Sequence, residues 1–277
     1  MRPLPSDSET IGWLSAPAGW TPRVLAGIST RRGGVSQDWL AQANYSLRVA
    51  DDPLRVAENL RRLAVASGVP LERAAGLRLE HGARVHVVGG SLEERARAIA
   101  RLPGDGLVTA VAGLPLTLTV ADCLPLFASA EGRAVVLAHC GWRGIAAGIV
   151  RAAVEALARV SGIVPGCIDA WIGPGIGPCC YTLGSADADL LSRREAPPAP
   201  ARALPPQARL AALPGGQESI RVDLPGCVEA DLIACGVVRR NIHRSAHCTA
   251  CREDLFYSHR RDEGRTGRML AWIMIEE

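Results

Sequence analysis

Lysine is absent from this chain of 277 residues, and all 31 of its basic residues are arginine. The absence excludes a lysine Schiff base, a lysine nucleophile and the lysine-containing phosphate-binding P-loop. Arginine can still hold phosphate or carboxylate, because its planar guanidinium donates two parallel hydrogen bonds. Any anion-binding site in this protein must therefore be built without lysine.

Long hydrophobic runs and a strong charge imbalance are also missing. The apolar runs are too short to span a bilayer, and the first twenty residues lack the uninterrupted apolar stretch of a signal peptide. The net charge of +3 is small and spread along the chain, whereas nucleic-acid-binding proteins concentrate basic residues. We therefore expect a cytoplasmic protein that binds neither nucleic acid nor membrane.

Nine cysteines are present, an odd number scattered through a chain that is long enough for an ordinary core. This usage predicts a reduced protein whose thiols are free or bind metal. The segment HCTAC (His247–Cys251) contains a C-x-x-C unit with histidines just upstream. Because no distant partner pair is evident, the pattern favours local packing over a second metal site.

Hydrophobic spacing predicts alternating helices and strands without internal repeats. Helices are predicted over Arg55–Ser67, Ser91–Arg101 and Ile145–Val160. Strands are predicted over Val24–Ser29, Arg84–Val88, Leu116–Val120, Ala134–Ala138, Ile168–Ile172 and Met269–Ile275. The Pro/Ala-rich stretch Glu195–Gly216 is predicted to be a surface excursion, and one domain is favoured over two.

A thiol and two imidazoles lie where apolar patterns give way to turns. Cys123 and His139 follow two such runs, and His81 precedes Gly82 and a predicted strand. Thiolate and neutral imidazole suit zinc, and a catalytic zinc needs only three protein ligands. Separations of 42 and 16 residues match no general zinc spacing. Buried histidines and a core cysteine therefore remain the alternative to a metal site.

Three loops carry glycine in a way that suits ligand contact. IGPGIGPCCY (Ile172–Tyr181) can bring backbone N–H groups close to a ligand, although it lacks the dinucleotide-binding pattern and equally fits a tight turn. STRRGGVS (Ser29–Ser36) and FYSHRRDEGRTGRM (Phe256–Met269) hold arginines in tight turns, where they can clamp an anion or simply face solvent.

In this order, the stretches resemble the multicopper polyphenol oxidase (laccase-like) family. The resemblance extends from about residue 25 to the C-terminus and rests on STRRGGVS, DDPLRVAENLRRL, EHG, VADCLPLF, AHCGWRG, IGPGIGPCCY and LFYSHRRDEGRTGRM. Bacterial members are described as purine nucleoside phosphorylases and as peptidoglycan editing factors. The resemblance implies an α+β fold of α/β/β/α layers with mixed sheets, one domain over residues 1–277, and a monomer.

The resemblance also implies a metal site on His81, Cys123 and His139. This sequence departs from the family's motifs at two places. Leu79-Glu80 replaces the usual Gln-Val before His81, and Cys140 replaces the usual alanine after His139. A multicopper site needs many histidines, and this chain has six in all. A single site of one cysteine and two histidines favours zinc over copper.

The implied reactions act on a small-molecule nucleoside and phosphate. One is phosphorolysis of adenosine and related nucleosides to the free base and ribose 1-phosphate, and the other is hydrolytic deamination of adenosine to inosine. Candidates for catalysis, besides Cys123, are Asp122 and Arg143. Candidates for substrate binding are Arg31, Asn44 and Arg260.

Two rival functions fit the same residues. In the first, Cys123 is the nucleophile and His139 the base of an amidase that edits wrongly built peptidoglycan precursors. In the second, the metal is structural and a fourth protein ligand closes the site, for which His86 is the nearest histidine.

Overall fold

The computed structural model describes residues 11–89, 102–194, 211–212 and 218–277. The helix predicted over Ser91–Arg101 lies outside these residues. So does the excursion predicted over Glu195–Gly216, apart from Ala211–Ala212, which form a short strand.

Six of the described strands form a mixed sheet, the first sheet. In spatial order they are β1 (Trp13–Ser15), β2 (Val24–Ser29), β15 (Met269–Ile275), β7 (Leu116–Val120), β3 (Ala75–Arg78) and β5 (Leu102–Pro103). Neighbours from β1 to β7 run antiparallel, and β3 runs parallel to both of its neighbours. The last described strand, β15, is therefore central in this sheet.

Six further strands form a second mixed sheet. In spatial order they are β14 (Ile242–Arg244), β10 (Ile168–Ile172), β8 (Leu124–Ala130), β9 (Ala134–Cys140), β6 (Gly106–Thr109) and β4 (Val85–Val87). β8 and β9 form an antiparallel hairpin in which every residue of both strands is buried. Burial on both faces explains why their sequences are mostly apolar.

The remaining described elements are one small sheet and the helices. The small sheet contains β11 (Thr182–Gly184), β13 (Glu218–Arg221) and β12 (Ala211–Ala212). The α-helices are α1 (Pro53–Ser67), α2 (Trp142–Ala146), α3 (Ile149–Ser161), α4 (Ser185–Ser192) and α5 (Leu224–Ala234). No helix in the described ranges has both the length and the apolarity needed to cross a membrane.

The two large sheets pack face to face between layers of helix. In β9, Val135 and Leu137 contribute to the apolar cluster shared with the first sheet, whereas Val136 and Ala138 contribute to the cluster that includes α3. Alternate residues of a strand point to opposite faces, so one strand serves both layers. On the outer face of the first sheet, Trp272 packs in a cluster with Leu63 of α1. The α+β fold with mixed sheets and α/β/β/α layers is thus confirmed.

Several predicted elements have the observed bounds, and four differ. The strands that match are Val24–Ser29, Leu116–Val120, Ile168–Ile172 and Met269–Ile275. The helix predicted over Arg55–Ser67 begins at Pro53, and the strand predicted over Arg84–Val88 is limited to Val85–Val87. β9 continues through Cys140, so His139 lies inside the strand rather than after it. The helix predicted over Ile145–Val160 is wrong as one element, because Gly148 takes a left-handed conformation (φ 88°) that separates α2 from α3.

Candidate metal and active site

The three predicted metal ligands lie together at one edge of the paired sheets. His81 follows β3, Cys123 lies in the turn between β7 and β8, and His139 lies near the end of β9. One ligand atom from each falls within 4.8 Å of those of the other two. The position of His139 follows from the hairpin register, which pairs it with Pro125, two residues after Cys123. His139 is buried and His81 is exposed, so the group opens toward solvent on one side.

Two residues of the ligand turns have left-handed backbones. The φ angle is 60° at His81 and 83° at Asp122, the residue before Cys123. Residues other than glycine adopt this conformation in only a few per cent of cases, although aspartate and histidine do so more often than most, and surrounding bonds must hold them there. In this protein those bonds come from Asp105 for the His81 turn and from two loops for the Asp122 turn.

Asp105, which the sequence analysis missed, is the central hydrogen-bond acceptor of the site. Its carboxylate is fully buried. Oδ1 accepts from His139 Nδ1 at 3.0 Å and from the His81 N–H at 2.9 Å, and Oδ2 accepts from the Gly82 N–H at 2.7 Å. A carboxylate that binds one ring nitrogen fixes the tautomer and leaves the other nitrogen free for a metal. In the sequence, Asp105 could have been noticed only as an aspartate between two glycines, Gly104 and Gly106, at the start of β6.

Cys123 and His139 influence each other's protonation. Burial raises the pKa of the Cys123 thiol, but the adjacent His139 and His81 outweigh burial and lower this pKa to about 6. Burial lowers the pKa of His139, but Cys123 and Asp105 outweigh burial and raise it to about 9. The pair therefore favours a thiolate beside an imidazolium, and a metal cation would take the place of the imidazolium proton.

Asp122 joins the ligand turn to two loops that follow β10 and β14. Its Oδ1 accepts from Thr249 Oγ1 at 2.6 Å, and its Oδ2 accepts from the Arg260 N–H at 2.7 Å. Its backbone carbonyl accepts from the Ile176 N–H at 2.8 Å. The position of Cys123 therefore depends on contacts made by residues far away in the sequence.

Two of the predicted arginines lie near the exposed side of the site. Arg143, in α2, is exposed and its guanidinium lies 4.4 Å from the centre of the Trp142 ring. Arg260 is exposed and lies 4.7 Å from the centre of the Tyr181 ring. Both guanidinium groups lower the pKa of Tyr181, so both lie within electrostatic reach of this phenol.

Arg31 and Asn44 make contacts that hold loops together. Arg31 donates from Nε and Nη2 to the carbonyl of Ala41, at 3.0 and 2.8 Å. The buried Asn44 donates from Nδ2 to Asp51 Oδ2 at 2.8 Å and accepts at Oδ1 from the Arg268 N–H at 3.0 Å. Substrate contact by either residue stays a prediction.

The donor set fits a single zinc ion with one open position. Thiolate sulfur and imidazole nitrogen are ordinary zinc ligands, and a catalytic zinc needs only three protein ligands. No fourth His, Cys, Asp or Glu of the described residues joins the group. His86 is turned elsewhere, with Nε2 at 2.9 Å from the carbonyl of Pro103. Cys140 is fully buried, and burial raises the pKa of its thiol well above the ordinary value.

Gly141 leaves room for the metal, and its replacement tests the site. A Cβ atom there would lie 2.9 Å from Cys123 Sγ and 3.2 Å from His81 Cδ2. We expect Gly141→Ala to weaken zinc binding about 100-fold, because the methyl group displaces two ligands. Zinc affinity, measured by competition with a chromogenic chelator, checks this expectation.

Gly184→Ala is the matched control for this substitution. Gly184 also precedes a helix, has an ordinary φ of −63°, and has open space where a Cβ atom would lie. The zinc affinity of the Gly184→Ala protein should equal that of the wild type. Unchanged affinity in Gly141→Ala would show that the three side chains do not share a metal at this position.

Comparisons with known proteins agree with the fold and the motifs. The model of the family described as multi-copper polyphenol oxidoreductase laccase matches residues 25–276. Purine nucleoside phosphorylase YlmD of Geobacillus stearothermophilus is 39% identical over 272 residues, which cover 96% of this chain and 95% of that protein. Purine nucleoside phosphorylase PA4543 of Pseudomonas aeruginosa is 33% identical, over 96% of this chain and 99% of that protein. The crystal structure of YlmD from Geobacillus stearothermophilus matches with a TM-score of 0.85 and 38% identity over 99% of each chain. This chain belongs to the multi-copper polyphenol oxidoreductase laccase family.

Proposed function

We propose that this protein is a zinc-dependent purine nucleoside phosphorylase that acts at His81, Cys123 and His139. The observation that carries the proposal is the group of three ligands itself. His139 is buried and His81 is exposed, so the group opens to solvent on the side of His81. The relatives from Geobacillus stearothermophilus and Pseudomonas aeruginosa, both named purine nucleoside phosphorylases, support it. A zinc ion held there would supply Lewis acidity beside the substrate.

Phosphate binding is assigned to Arg143 and Arg260 at the exposed side of the site. The pKa of Tyr181 is raised by burial and by Cys123, whereas Arg260 and Arg143 lower it. These effects on Tyr181 support the placement of Arg143, Arg260 and Cys123 around one shared site. A phosphate dianion must be oriented and its charge balanced before it can attack, and fixed guanidinium groups do both.

The bond changes of phosphorolysis define what these residues must do. The bond between C1′ of the ribose and the purine nitrogen breaks, and a phosphate oxygen forms the new bond to C1′. The purine leaves with the bonding electrons and takes up one proton, which balances the proton that hydrogen phosphate loses when ribose 1-phosphate forms. Both carboxylate oxygens of Asp122 already accept hydrogen bonds, from Thr249 and from Arg260. We therefore assign to Asp122 the positioning of the Cys123 turn rather than the transfer of this proton.

Deamination of adenosine is the second reaction that we assign to the same site. Water replaces the 6-amino group of the purine, and ammonia leaves with inosine as the other product. This reaction needs no phosphate, so its dependence on Arg143 and Arg260 should be weaker than that of phosphorolysis. The requirement for phosphate therefore separates the two reactions in a single assay.

A cysteine-dependent amidase is the second candidate function, and one specific observation favours it. Cys123, His139 and Asp105 form a chain of nucleophile, base and orienting carboxylate, with His139 Nδ1 at 3.0 Å from Asp105 Oδ1. The lowered pKa of the thiol, about 6, suits a nucleophile at neutral pH. The amide of a wrongly built peptidoglycan precursor would be its substrate.

Product analysis with and without metal tests the proposed function. The purified protein is treated with a chelator, divided, and one half is reloaded with zinc. We expect mass spectrometry to detect adenine and ribose 1-phosphate from adenosine only with both zinc and phosphate, and inosine with zinc alone. Absence of all nucleoside products from the zinc-loaded protein would contradict the proposal. Cleavage of a muropeptide amide that iodoacetamide abolishes and the chelator leaves unchanged would establish the amidase instead.

A further inference from the structure

A second group of metal-ligating side chains lies outside the proposed active site. It consists of Cys179, Cys180, Cys248 and Cys251, whose sulfur atoms all lie within 4.8 Å of one another. The first two belong to the Gly/Pro-rich loop after β10, and the last two form the C-x-x-C unit after β14. The structure thus supplies the distant partner pair whose absence from the sequence pattern had favoured local packing.

The sulfur atoms lie close enough together to share one metal ion. The Sγ atom of Cys251 lies 3.3 Å from that of Cys180 and 3.5 Å from that of Cys179. In a zinc site with four thiolates, bonds of about 2.3 Å place the sulfur atoms about 3.8 Å apart. All four cysteines are free thiols in the structure, and neither distance is near the length of about 2.05 Å that a disulfide bond has.

The backbone around this group is organised as in sites that hold thiolates. The Gly177 N–H donates to Cys248 Sγ at 3.2 Å, and a bridge pairs Gly175 with Cys248. Hydrogen bonds from backbone N–H groups to ligand sulfur atoms are the outer contacts that orient metal ligands.

We propose that Cys179, Cys180, Cys248 and Cys251 bind a structural zinc ion that ties the Gly/Pro-rich loop to the C-terminal loop. Four protein ligands close a tetrahedral site, so this zinc has no open position for chemistry. Thr249 lies between two of the ligands and donates to Asp122 Oδ1 at 2.6 Å. The zinc therefore supports the turn that carries Cys123, without itself contacting the substrate.

Metal content in matched variants tests this second site. We expect about two zinc ions per chain in the wild type, about one in Cys251→Ser, about one in Cys123→Ser, and none in the double variant. Cys167→Ser is the control, because Cys167 is an exposed thiol outside both groups, and it should keep about two. A wild type with one zinc ion that Cys251→Ser leaves unchanged would overturn the proposal. Failure of the proposed active site gives a different result, namely about one zinc ion in both the wild type and Cys123→Ser, and none in Cys251→Ser.

Alkylation of the wild-type protein provides a measurement that does not depend on a variant folding. Iodoacetamide is added to the zinc-loaded and to the metal-free protein, and modified peptides are identified by mass spectrometry. We expect zinc to reduce the modification of all four cysteines at least about tenfold, while that of Cys167 stays the same. Equal modification with and without zinc would overturn the proposal. Peptide pairs lighter by two hydrogens, which indicate disulfides in the protein as isolated, would overturn it as well.

Discussion

Replacement of Cys123 by serine is expected to remove both the zinc ion of the proposed active site and the nucleoside phosphorylase activity. Serine keeps the size of the side chain but provides a neutral hydroxyl where the site has a thiol with a pKa of about 6. Loss of a metal that supplies about 4 kcal/mol of transition-state stabilisation lowers kcat/KM about 1,000-fold. Zinc content and the rate of phosphate-dependent adenine release measure the two effects on the same sample.

The fold should survive this substitution. Cys123 lies in a turn at the edge of the sheets, and the bonds that hold this turn come from Asp122 and its partners Thr249 and Arg260. We therefore expect the circular dichroism spectrum to be unchanged and the melting temperature of the metal-free variant to lie within about 3 °C of that of the metal-free wild type. Cys167→Ser should retain full activity and so controls for the loss of a thiol.

The outcome also separates the two candidate functions. In a zinc enzyme, chelation of the wild type and the Cys123→Ser substitution cause the same loss, because both remove the metal. In a thiol amidase, the substitution alone abolishes turnover, and chelation has no effect. A Cys123→Ser protein that retains its zinc and its wild-type phosphorolysis rate would contradict the proposed site.

Much of the fold could be predicted because its strands are buried on both faces. The uniformly apolar run Met269–Ile275 has no polar residue that could blur its ends, and Leu116–Val120 alternates apolar residues with threonine, which also favours strands. The bounds of both were predicted correctly. β8 was not predicted, since its second residue is Pro125, and proline within an apolar run argues against a strand. In the structure Pro125 is the second residue of the strand and pairs with His139.

The sequence identified the candidate ligands and two nearby arginines, but not the contacts that hold the ligands in place. His81, Cys123 and His139 belong to motifs that stand out locally, and the resemblance joined them into one set. Asp105 belongs to no such motif, and its role depends on a hydrogen bond across 34 residues to His139. The four-cysteine group was missed for the same reason, because its two halves are 71 residues apart at their closest contact. Long-range contacts of this kind are decided by sheet register, which one sequence does not reveal.

The substitution Asp105→Asn should have the second largest effect, on stability as well as on the metal. Both carboxylate oxygens accept hydrogen bonds: Oδ1 from His139 Nδ1 and the His81 N–H, and Oδ2 from the Gly82 N–H. An asparagine has only one acceptor oxygen, so its amide NH₂ must face donors whichever way the side chain is turned. We expect the metal-free variant to lose about 2–4 kcal/mol of unfolding free energy, the cost of leaving buried donors without acceptors. Urea denaturation of the metal-free protein measures this loss.

Zinc affinity should also fall, in addition to the loss of stability, because Asp105 orients two of the ligands, His81 and His139. It fixes the proton of His139 on Nδ1 and holds the backbone of the His81 turn, so the asparagine variant should bind zinc about 10- to 100-fold more weakly under conditions in which it is fully folded. Asp169→Asn is the matched control. The Asp169 carboxylate accepts a hydrogen bond from Thr21 Oγ1 at 2.6 Å, and Asp169 belongs to neither of the two groups of metal-ligating side chains. The control should cost about 1 kcal/mol and leave zinc affinity unchanged. Wild-type zinc affinity in a folded Asp105→Asn protein would show that the carboxylate supports the fold alone, whereas a loss confined to Asp105→Asn would identify it as the residue that positions the metal ligands.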